Sequence, residues 1–403
     1  MNTPADVPAP ALPEGLSRQS YDWVTRLIAL DTTSRDSNLP VIEAIADYAR
    51  ELGLTATVCP AEGQEAKANL LVTVPAADGT VAGGVVLSGH SDVVPVDGQD
   101  WASDPFTPEI RDGKLYGRGT CDMKGFIGVA VAALPRMVEA ELSEPIHLAI
   151  SFDEEVGCIG GAQIVKDIAN LGLSPRACIV GEPSSMEVIT AHKSINQIEV
   201  FFTGVAAHSS LTNQGVNSIE YAAKFISFVR QQADDWKAGG PFDEAYPISY
   251  STASVNVIHG GIAGNTVPAE THVLMEFRSL PELDAGSYTE KFRRYVAELD
   301  HQMKAENDAA GAEFHLISAV PGLETPPSAD VVSLGAQLGG SPSEGKVTYG
   351  TEAGQFSGSG IETVVCGPGD IAQAHTANEF VELDQLARCE AFVAKLIGLL
   401  SKD

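Results

Sequence analysis

Hydrophobic positions along the chain follow two different spacings. In residues 21–30 and 41–52 they recur every three or four positions, as in amphipathic helices, and Gly53 is a residue that commonly ends such a helix. Other apolar residues form short continuous runs, the pattern of buried strands, at 70–74, 85–88, 146–152, 178–180 and 364–366. Residues 125–138 show helical spacing again, and this pattern predicts one helix over the segment.

The middle of the chain has a different pattern. Residues 196–203 alternate between polar and apolar positions, and further strand signals follow at 254–258 and 271–278. Two long segments, 217–236 and 287–304, have the spacing of amphipathic helices. Strands with one exposed face, together with two helices, predict a compact α+β unit.

Strands that alternate with helices on both sides of this unit predict an α/β domain with a doubly wound, mostly parallel sheet. The α+β unit is then an insertion into that domain. We expect the first part of the α/β domain in residues 1–189, the inserted domain in 190–321, and the second part of the α/β domain in 322–403. Residues 1–13, rich in proline and alanine, predict a short disordered lead that lacks the basic segment of a signal peptide.

Composition narrows the classes of function. The formal net charge of −29 at pH 7 argues against nucleic acid as a partner, because binding phosphates requires clustered lysine and arginine. No apolar run reaches the roughly 18 residues that a membrane-spanning helix needs, so we expect no membrane contact. The six cysteines have no CxxC spacing, which favours reduced thiols in a cytoplasmic protein.

Potential metal ligands stand directly after the predicted strands of the α/β domain or in the adjoining loops. They are His90, Asp92, Asp122, Asp153, Glu154, Glu155, Glu182 and His375. Because sites in open α/β sheets form beyond the carboxyl ends of the strands, we expect these side chains to converge. Histidine nitrogens and carboxylate oxygens suit Zn²⁺, and two ions about 3.5–4 Å apart need a carboxylate that bridges them.

Each of these residues has an ordinary structural explanation when taken alone. A histidine at a strand end is commonly a hydrogen-bonded structural residue, and Asp122 can serve as the cap of the helix that follows. Residues 153–155 (DEE) have the composition of a solvated acidic loop. Taken together, however, acids placed directly after apolar strands are costly to bury unless cations neutralise them. The set therefore favours a metal site.

The segments around these residues resemble a known family. Residues 88–96 (SGHSDVVPV), 122–125 (DMKG) and 153–155 (DEE) are similar to the metal motifs of the zinc aminoacylases and deacylases of metallopeptidase clan MH, the M20 family. Similarity to the acetylornithine deacetylases within that family extends to residues 113–117, 181–183, 191–193, 351–353, 367–369 and 373–375. The resemblance covers the chain from Tyr21 to the end.

The resemblance implies a centre with two Zn²⁺ ions, with Co²⁺ as the alternative metal. His90 and Glu182 would bind one ion. Glu155 and His375 would bind the other, and Asp122 would bridge the two. The metals would act as Lewis acids and lower the pKa of a bound water.

The resemblance also assigns roles around the metals. Asp92 would fix the tautomer of His90, and Glu154 would be the general base that passes a proton from the attacking water to the leaving amine. The inserted domain resembles the lid and dimerisation domain of the family. His208 would donate to the developing oxyanion in the partner subunit's site of a homodimer. Asn265 and Arg278 would bind the substrate's carboxylate, to which the planar guanidinium donates two hydrogen bonds.

The leading interpretation is hydrolysis of N2-acetyl-L-ornithine to L-ornithine and acetate, a step of arginine biosynthesis. Gly354 and Gln355 follow Ala353 where the family pattern has a proline, and Ser194 replaces a usual glycine. These departures leave the preference for the acyl group and the amine open. The alternatives are a succinyl-diaminopimelate desuccinylase, a broader aminoacylase, and an inactive metal-binding homologue.

A cysteine hydrolase is disfavoured. Its nucleophile would be Cys121 or Cys158, and each stands near acidic residues in the sequence. Nearby negative charge raises the pKa of a thiol and keeps it from forming the reactive thiolate.

Overall fold

The structure is a computed structural model that describes residues 10–343 and 345–402. Most of the predicted disordered lead, residues 1–9, lies outside the described residues. The described residues form two compact units. The first contains those of Met1–Thr190, Thr325–Ser343 and Gln355–Asp403, and the second contains those of Ala191–Glu324 and Glu344–Gly354.

Within the described ranges the chain forms ten α-helices. They are α1 (Arg18–Ile28), α2 (Leu39–Glu51), α3 (Lys124–Ala132), α4 (Leu134–Glu139), α5 (Ile159–Asn170), α6 (Ser218–Gly239), α7 (Ala285–Glu306), α8 (Asp330–Gln337), α9 (Ala353–Gly358) and α10 (Leu383–Leu400). In this part of the chain no helix combines the length and the apolar character needed to cross a membrane.

The same ranges contain nineteen strands. They are β1 (Thr55–Ala61), β2 (Gln64–Val74), β3 (Val85–His90), β4 (Glu109–Arg111), β5 (Lys114–Tyr116), β6 (Ile146–Ser151), β7 (Ala177–Pro183), β8 (Glu187–Val188), β9 (Ala191–His192), β10 (Ile195–Thr203), β11 (Ala207–His208), β12 (Thr252–Gly260), β13 (Thr266–Val267), β14 (Glu270–Arg278), β15 (Gly311–Val320), β16 (Leu323–Glu324), β17 (Ser341–Pro342), β18 (Glu362–Gly367) and β19 (Phe380–Glu382).

The first unit is built on a six-stranded sheet with the order β1-β2-β6-β3-β7-β18. The pairs β6–β3, β3–β7 and β7–β18 are parallel, while β1–β2 and β2–β6 are antiparallel. Every residue of β3, β6 and β7 is buried, so both faces of the central sheet are covered, as the continuous apolar runs predict. The predicted α/β fold class, with its largely parallel sheet, is confirmed.

The prediction of one continuous helix over residues 125–138 is wrong. Residues 125–138 form two helices, α3 and α4, which are separated at Ala133. Pro135 lies in the first turn of α4, where its missing N–H is tolerated, although in the interior of one long helix it would remove a hydrogen bond. All nine residues of α3 are buried, which explains its weak amphipathic pattern.

The second unit is a four-stranded antiparallel sheet, β12-β14-β10-β15, with the helices α6 and α7. In β10 the buried residues alternate with less buried ones, and Phe202 of this strand shares a hydrophobic cluster with Phe225 of α6 and Phe292 of α7. The α6 helix begins after Asn217, whose side chain accepts a hydrogen bond from the backbone N–H of Glu220. Asn217 is therefore the N-cap of α6.

Candidate metal centre

The parallel register of the first unit brings several strand ends to one edge of the sheet. His90 at the end of β3 pairs with Ser151 at the end of β6, and Ser88 pairs with Val180 of β7. The residues that follow these strands therefore emerge side by side. Glu182 lies at the end of β7, two residues beyond the paired Val180.

A glycine allows the α3 helix to approach this edge closely. A Cβ atom on Gly181 would lie 2.1 Å from the ring of Phe126 in α3, so only glycine permits this packing. The loop that carries Asp122 leads directly into α3, which begins at Lys124. Close packing of α3 against β7 therefore helps to place Asp122 near Glu182.

The structure brings the five predicted metal ligands together. Nε2 of His90 lies 2.9 Å from Oδ1 of Asp122 and 3.6 Å from Oε1 of Glu182. Nε2 of His375 lies 3.1 Å from Oδ2 of Asp122 and 3.0 Å from Oε2 of Glu155. The two carboxylate oxygens of Asp122 thus face different histidines, which is the arrangement that a bridging ligand requires.

Burial perturbs the protonation of the acids in this cluster. It raises the pKa of Glu154 to about 8 and that of Glu155 to about 7, and the neighbouring carboxylates add to both shifts. Burial likewise acts to raise the pKa of Asp122, but hydrogen bonds to His375 and His90 outweigh it and lower this pKa. Hydrogen bonds to Asp122 and Glu155 raise the pKa of His375 to about 10.

The donor set fits divalent transition-metal ions. The candidate ligand atoms form two groups, and within each group all atoms lie within 4.8 Å of one another. The first group is His90, Glu154 and Glu182, and the second is His90, Asp122 and Glu155. Imidazole nitrogens and carboxylate oxygens are ligands that Zn²⁺ accepts readily. Cations would also offset the repulsion among four buried or nearly buried carboxylates, which explains why such a cluster is tolerated.

Asp92 contacts more than the histidine that it was predicted to orient. Nδ1 of His90 lies 3.0 Å from the main-chain oxygen of Asp92 and 3.5 Å from its carboxylate. The carboxylate accepts hydrogen bonds from the backbone N–H groups of Glu154 and Glu155, at 3.0 and 3.3 Å, and from the hydroxyl of Ser34. Asp92 therefore holds the backbone of both glutamates.

A second carboxylate, Glu379, also holds two consecutive backbone N–H groups at the site, and the sequence analysis did not identify it. Oε1 of Glu379 accepts hydrogen bonds from the backbone N–H groups of Cys121 and Asp122, at 2.9 and 3.1 Å. Its Oε2 pairs with Arg118 at 2.6 Å, and both side chains are 1% exposed. The available signal was the pair of charged residues near the ligands, since Arg118 precedes Asp122 and Glu379 follows His375 by four positions.

Gln99 connects this ion pair to the loop of His375. Its side-chain oxygen accepts a hydrogen bond from Arg118 at 2.6 Å, and its side-chain nitrogen donates to the main-chain oxygen of His375 at 3.0 Å. His375 is a non-glycine residue with φ 59°, in the left-handed region. Such strained backbone persists where surrounding contacts hold it, and the Gln99 hydrogen bond is one of these contacts.

The second unit carries the three remaining predicted site residues. His208 of β11 pairs with Thr266 of β13, and the N–H of Ser209 donates to the main-chain oxygen of Asn265, so His208 and Asn265 lie on one small ribbon. The backbone N–H of Ser210 donates to Nδ1 of His208, which leaves the proton of a neutral imidazole on Nε2.

Arg278 ends β14 and is engaged within its own unit. Its guanidinium lies 2.7 Å from the carboxylate of Glu276 and donates to the main-chain oxygen of Thr348 at 3.2 Å. Substrate binding by Arg278 stays a prediction, and so does each role assigned to His208 and Asn265.

Residues 86–398 match the family described as peptidase family M20/M25/M40. The chain belongs to this family. Its members are metal-dependent hydrolases, which accords with the cluster of acids and histidines at the edge of the sheet. The matched range contains all five candidate ligands and Glu154.

Solved structures with the M20 fold resemble the chain over nearly its whole length. An M20 family metallo-carboxypeptidase from Sulfolobus solfataricus has a TM-score of 0.76 at 16% identity, with 96% of this chain and 99% of that chain covered. The aminopeptidase PepT from Bacillus cereus has a TM-score of 0.66 at 22% identity, with 95% and 98% covered. A dinuclear metal-binding M20 peptidase from Bacillus subtilis has a TM-score of 0.62 at 15% identity, with 94% and 97% covered. At these identities the likeness establishes the fold.

Proposed function

We propose that this M20 protein is a two-zinc amidohydrolase that removes an acyl group from an N-acyl amino acid, with N2-acetyl-L-ornithine as its substrate. One observation carries the proposal. Five side chains that suit two metal ions converge at the sheet edge, and Glu154 lies beside them as an additional carboxylate. A site that only binds metal has no need for such a group.

The proposed reaction is hydrolysis of an amide bond. Zinc ions bound by His90, Glu182, Asp122, Glu155 and His375 would supply Lewis acidity and lower the pKa of water. Glu154 accepts a proton from the attacking water and later delivers it to the leaving amine. Burial raises the pKa of Glu154 to about 8 in the metal-free site, and nearby zinc ions would lower it, so that the ionised carboxylate could accept the proton.

Three other residues would stabilise the substrate. His208 accepts a hydrogen bond at Nδ1, so its Nε2–H is a suitable hydrogen-bond donor for an oxyanion, and we propose that it acts on the neighbouring subunit of a homodimer. Arg278 and Asn265 would hold the α-carboxylate. The net charge of −29 accords with a substrate whose side chain is cationic.

A substrate panel tests the proposal. The purified protein, loaded with zinc in one sample and with cobalt in another, is assayed with acetylornithine, succinyl-diaminopimelate, acetylmethionine and an unmodified dipeptide. The highest kcat/KM is expected for acetylornithine. Preference for the succinyl substrate or for the dipeptide would overturn the assignment of substrate, and no turnover of any of the four would overturn the proposed activity itself. Glu154→Gln is the matched inactive control.

A further inference from the structure

The side chain of Glu154 has a neighbour that the proposed mechanism does not use. The thiol of Cys158 donates a hydrogen bond to Oε1 of Glu154, with 3.0 Å between sulfur and oxygen. Cys158 is 1% exposed, so this contact is shielded from water. A hydrogen bond to one oxygen of a carboxylate restricts rotation of the group and leaves the other oxygen available for proton transfer.

The backbone around Cys158 directs its thiol toward Glu154. The N–H groups of Gly157 and Cys158 both donate to the main-chain oxygen of Glu154, at 3.0 and 2.8 Å. They close a turn that brings residue 158 back over residue 154. Cys158 itself has φ 51°, in the left-handed region that non-glycine residues rarely adopt.

Gln355 holds the same turn from another part of the first unit. Its side-chain nitrogen donates to the main-chain oxygen of Cys158 at 2.9 Å. The other end of this buried amide, Oε1, has no hydrogen-bond partner within the described residues. Gln355 therefore holds the main chain of Cys158 even though burying an amide with one unsatisfied end is unfavourable.

Packing alone also explains Cys158 poorly. Cys389 is an example of a cysteine that serves packing, because it lies on α10 within the main hydrophobic cluster of the first unit. Cys158 lies outside that cluster and directs its sulfur to a carboxylate. A strained backbone that serves a polar contact beside the acids is a pattern found at functional sites.

We propose that Cys158 is a positioning residue that holds the carboxylate of Glu154 in the orientation required for proton transfer, with Gln355 fixing the turn that carries the thiol. The inference rests on the proposed function, in which Glu154 is the general base. Without the thiol, the flexible glutamate side chain would populate other rotamers, and productive proton transfer would become less frequent.

The first test separates positioning from folding and from metal binding. Cys158→Ala should lower kcat about tenfold, the value of a weak hydrogen bond to a charged group, and should leave KM and bound zinc unchanged. Cys158→Ser should recover most of kcat, because a hydroxyl also donates. Cys389→Ala, which truncates an equally buried thiol, should keep the wild-type kcat. Wild-type kcat in Cys158→Ala, or no recovery in Cys158→Ser at full zinc content, would overturn the role.

The second test requires no activity. The infrared S–H stretching band of Cys158 is isolated by subtracting the spectrum of Cys158→Ala from that of the wild-type protein, both loaded with zinc, because nearby cations favour the ionised carboxylate of Glu154. A thiol bonded to a carboxylate should absorb at lower frequency than the thiol of Cys389, isolated in the same way. Glu154→Gln should move the Cys158 band to higher frequency, because an amide oxygen is the weaker acceptor.

The two tests fail in distinguishable ways. If the protein hydrolyses none of the four substrates, the proposed function fails, and the infrared band still decides whether the thiol bonds to Glu154. If the band is insensitive to Glu154→Gln, the contact is absent and the positioning role is wrong, even in an active enzyme.

Discussion

Glu154 and Glu155 are adjacent in the sequence, but their side chains face different groups. Oε1 of Glu154 accepts from the thiol of Cys158, whereas Oε2 of Glu155 lies 3.0 Å from Nε2 of His375. The backbone N–H groups of both glutamates are held by Asp92. This shared support holds the two consecutive side chains in different orientations, as separate roles would require.

The first prediction tests that separation. Glu154→Gln should keep the bound zinc of the wild-type protein and lower kcat by about 10²–10⁴-fold, the usual contribution of a general base. Glu155→Gln should instead lose zinc, because an amide is a poor ligand for the ion near His375. Zinc content measured by atomic emission, together with kcat at saturating zinc, distinguishes the two variants. The reverse pattern would mean that the roles are exchanged.

The second prediction concerns the protons that the metal-free site holds. The pKa values of Glu154, Glu155 and His375, about 8, about 7 and about 10, leave these groups largely or partly protonated at pH 7. Because metal ligands must be deprotonated, zinc binding should release about one proton or more and should tighten as the pH rises from 6 to 8. Calorimetry in two buffers with different ionisation enthalpies counts the released protons, and Glu155→Gln should release fewer. Zinc affinity independent of pH would contradict the prediction.

At the scale of elements, two buried carboxylates hold the loops that carry candidate metal ligands. Asp92 accepts hydrogen bonds from backbone N–H groups of the loop after β6, and Glu379 accepts hydrogen bonds from backbone N–H groups of the loop before α3. Each carboxylate holds two consecutive backbone amides, and in each pair at least one belongs to a residue of the site. The ligands are thereby positioned through their backbones as well as through their side chains.

The third prediction concerns Glu379. Glu379→Leu should destabilise the protein by about 3–5 kcal/mol, because it leaves the buried charge of Arg118 unpaired. The double variant Arg118→Met, Glu379→Leu should recover much of that stability, since an apolar pair of similar volume replaces the ion pair. It should not recover zinc affinity, because the N–H groups of Cys121 and Asp122 have lost their acceptor. Denaturant unfolding and competition with a chelator measure the two properties, and a double variant with wild-type zinc affinity would contradict the assignment.

The fourth prediction concerns His192 in β9. Its Nδ1 lies 2.9 Å from the main-chain oxygen of Lys193 and its Nε2 lies 3.2 Å from the hydroxyl of Thr351, so both nitrogens are satisfied in the neutral imidazole. Burial lowers the pKa of His192 to about 4, against 6.5 when it is exposed. Below pH 6.5 the unfolded chain therefore binds a proton that the folded protein excludes.

Burial of neutral His192 makes the protein less stable as the pH decreases. Its contribution to the free energy of unfolding is complete above pH 6.5, falls as the pH decreases, and levels off near pH 4, for a total loss of about 3 kcal/mol. Denaturant unfolding at several pH values should show a shallower acid dependence in His192→Asn, which keeps a donor at the position of Nδ1. Identical pH profiles for the two proteins would show that His192 is not the group responsible.

At the scale of the whole molecule, the fifth prediction tests whether His208 acts in the partner subunit's site of the proposed homodimer. His208→Ala and Glu154→Gln should each be nearly inactive, since an oxyanion donor typically contributes about 10²–10³-fold. If His208 acts on the partner, mixing the two variants under exchange gives mixed dimers with one intact site each. With statistical exchange the activity should approach about a quarter of the wild-type value, because half of the dimers are mixed.

The outcome of the mixing experiment depends on subunit exchange, which needs its own control. Exchange is followed with differently tagged wild-type subunits under the same conditions. If exchange is complete and the mixture stays as inactive as its parents, His208 does not act on a partner subunit. Recovered activity that follows the measured fraction of mixed dimers supports the assignment.

Much of the fold followed from local patterns in the sequence. Continuous apolar runs identify β3, β6 and β7, because strands covered on both faces need apolar side chains at every position. The acids and histidines that follow these runs identify the candidate ligands. Pro135 also gave a local signal for the break between α3 and α4, although the helical spacing continues across it.

The contacts that support the site were decided by the tertiary structure. Glu379 accepts a hydrogen bond from the backbone N–H of Asp122, which lies 257 positions away in the sequence. Gln355 donates a hydrogen bond to the carbonyl of Cys158, which lies 197 positions away. Local spacing cannot indicate such partners, since a buried backbone amide takes whichever acceptor the packed chain brings near it. The sequence alone therefore determined which residues could bind metal, and only the folded chain determined which side chains hold them in place.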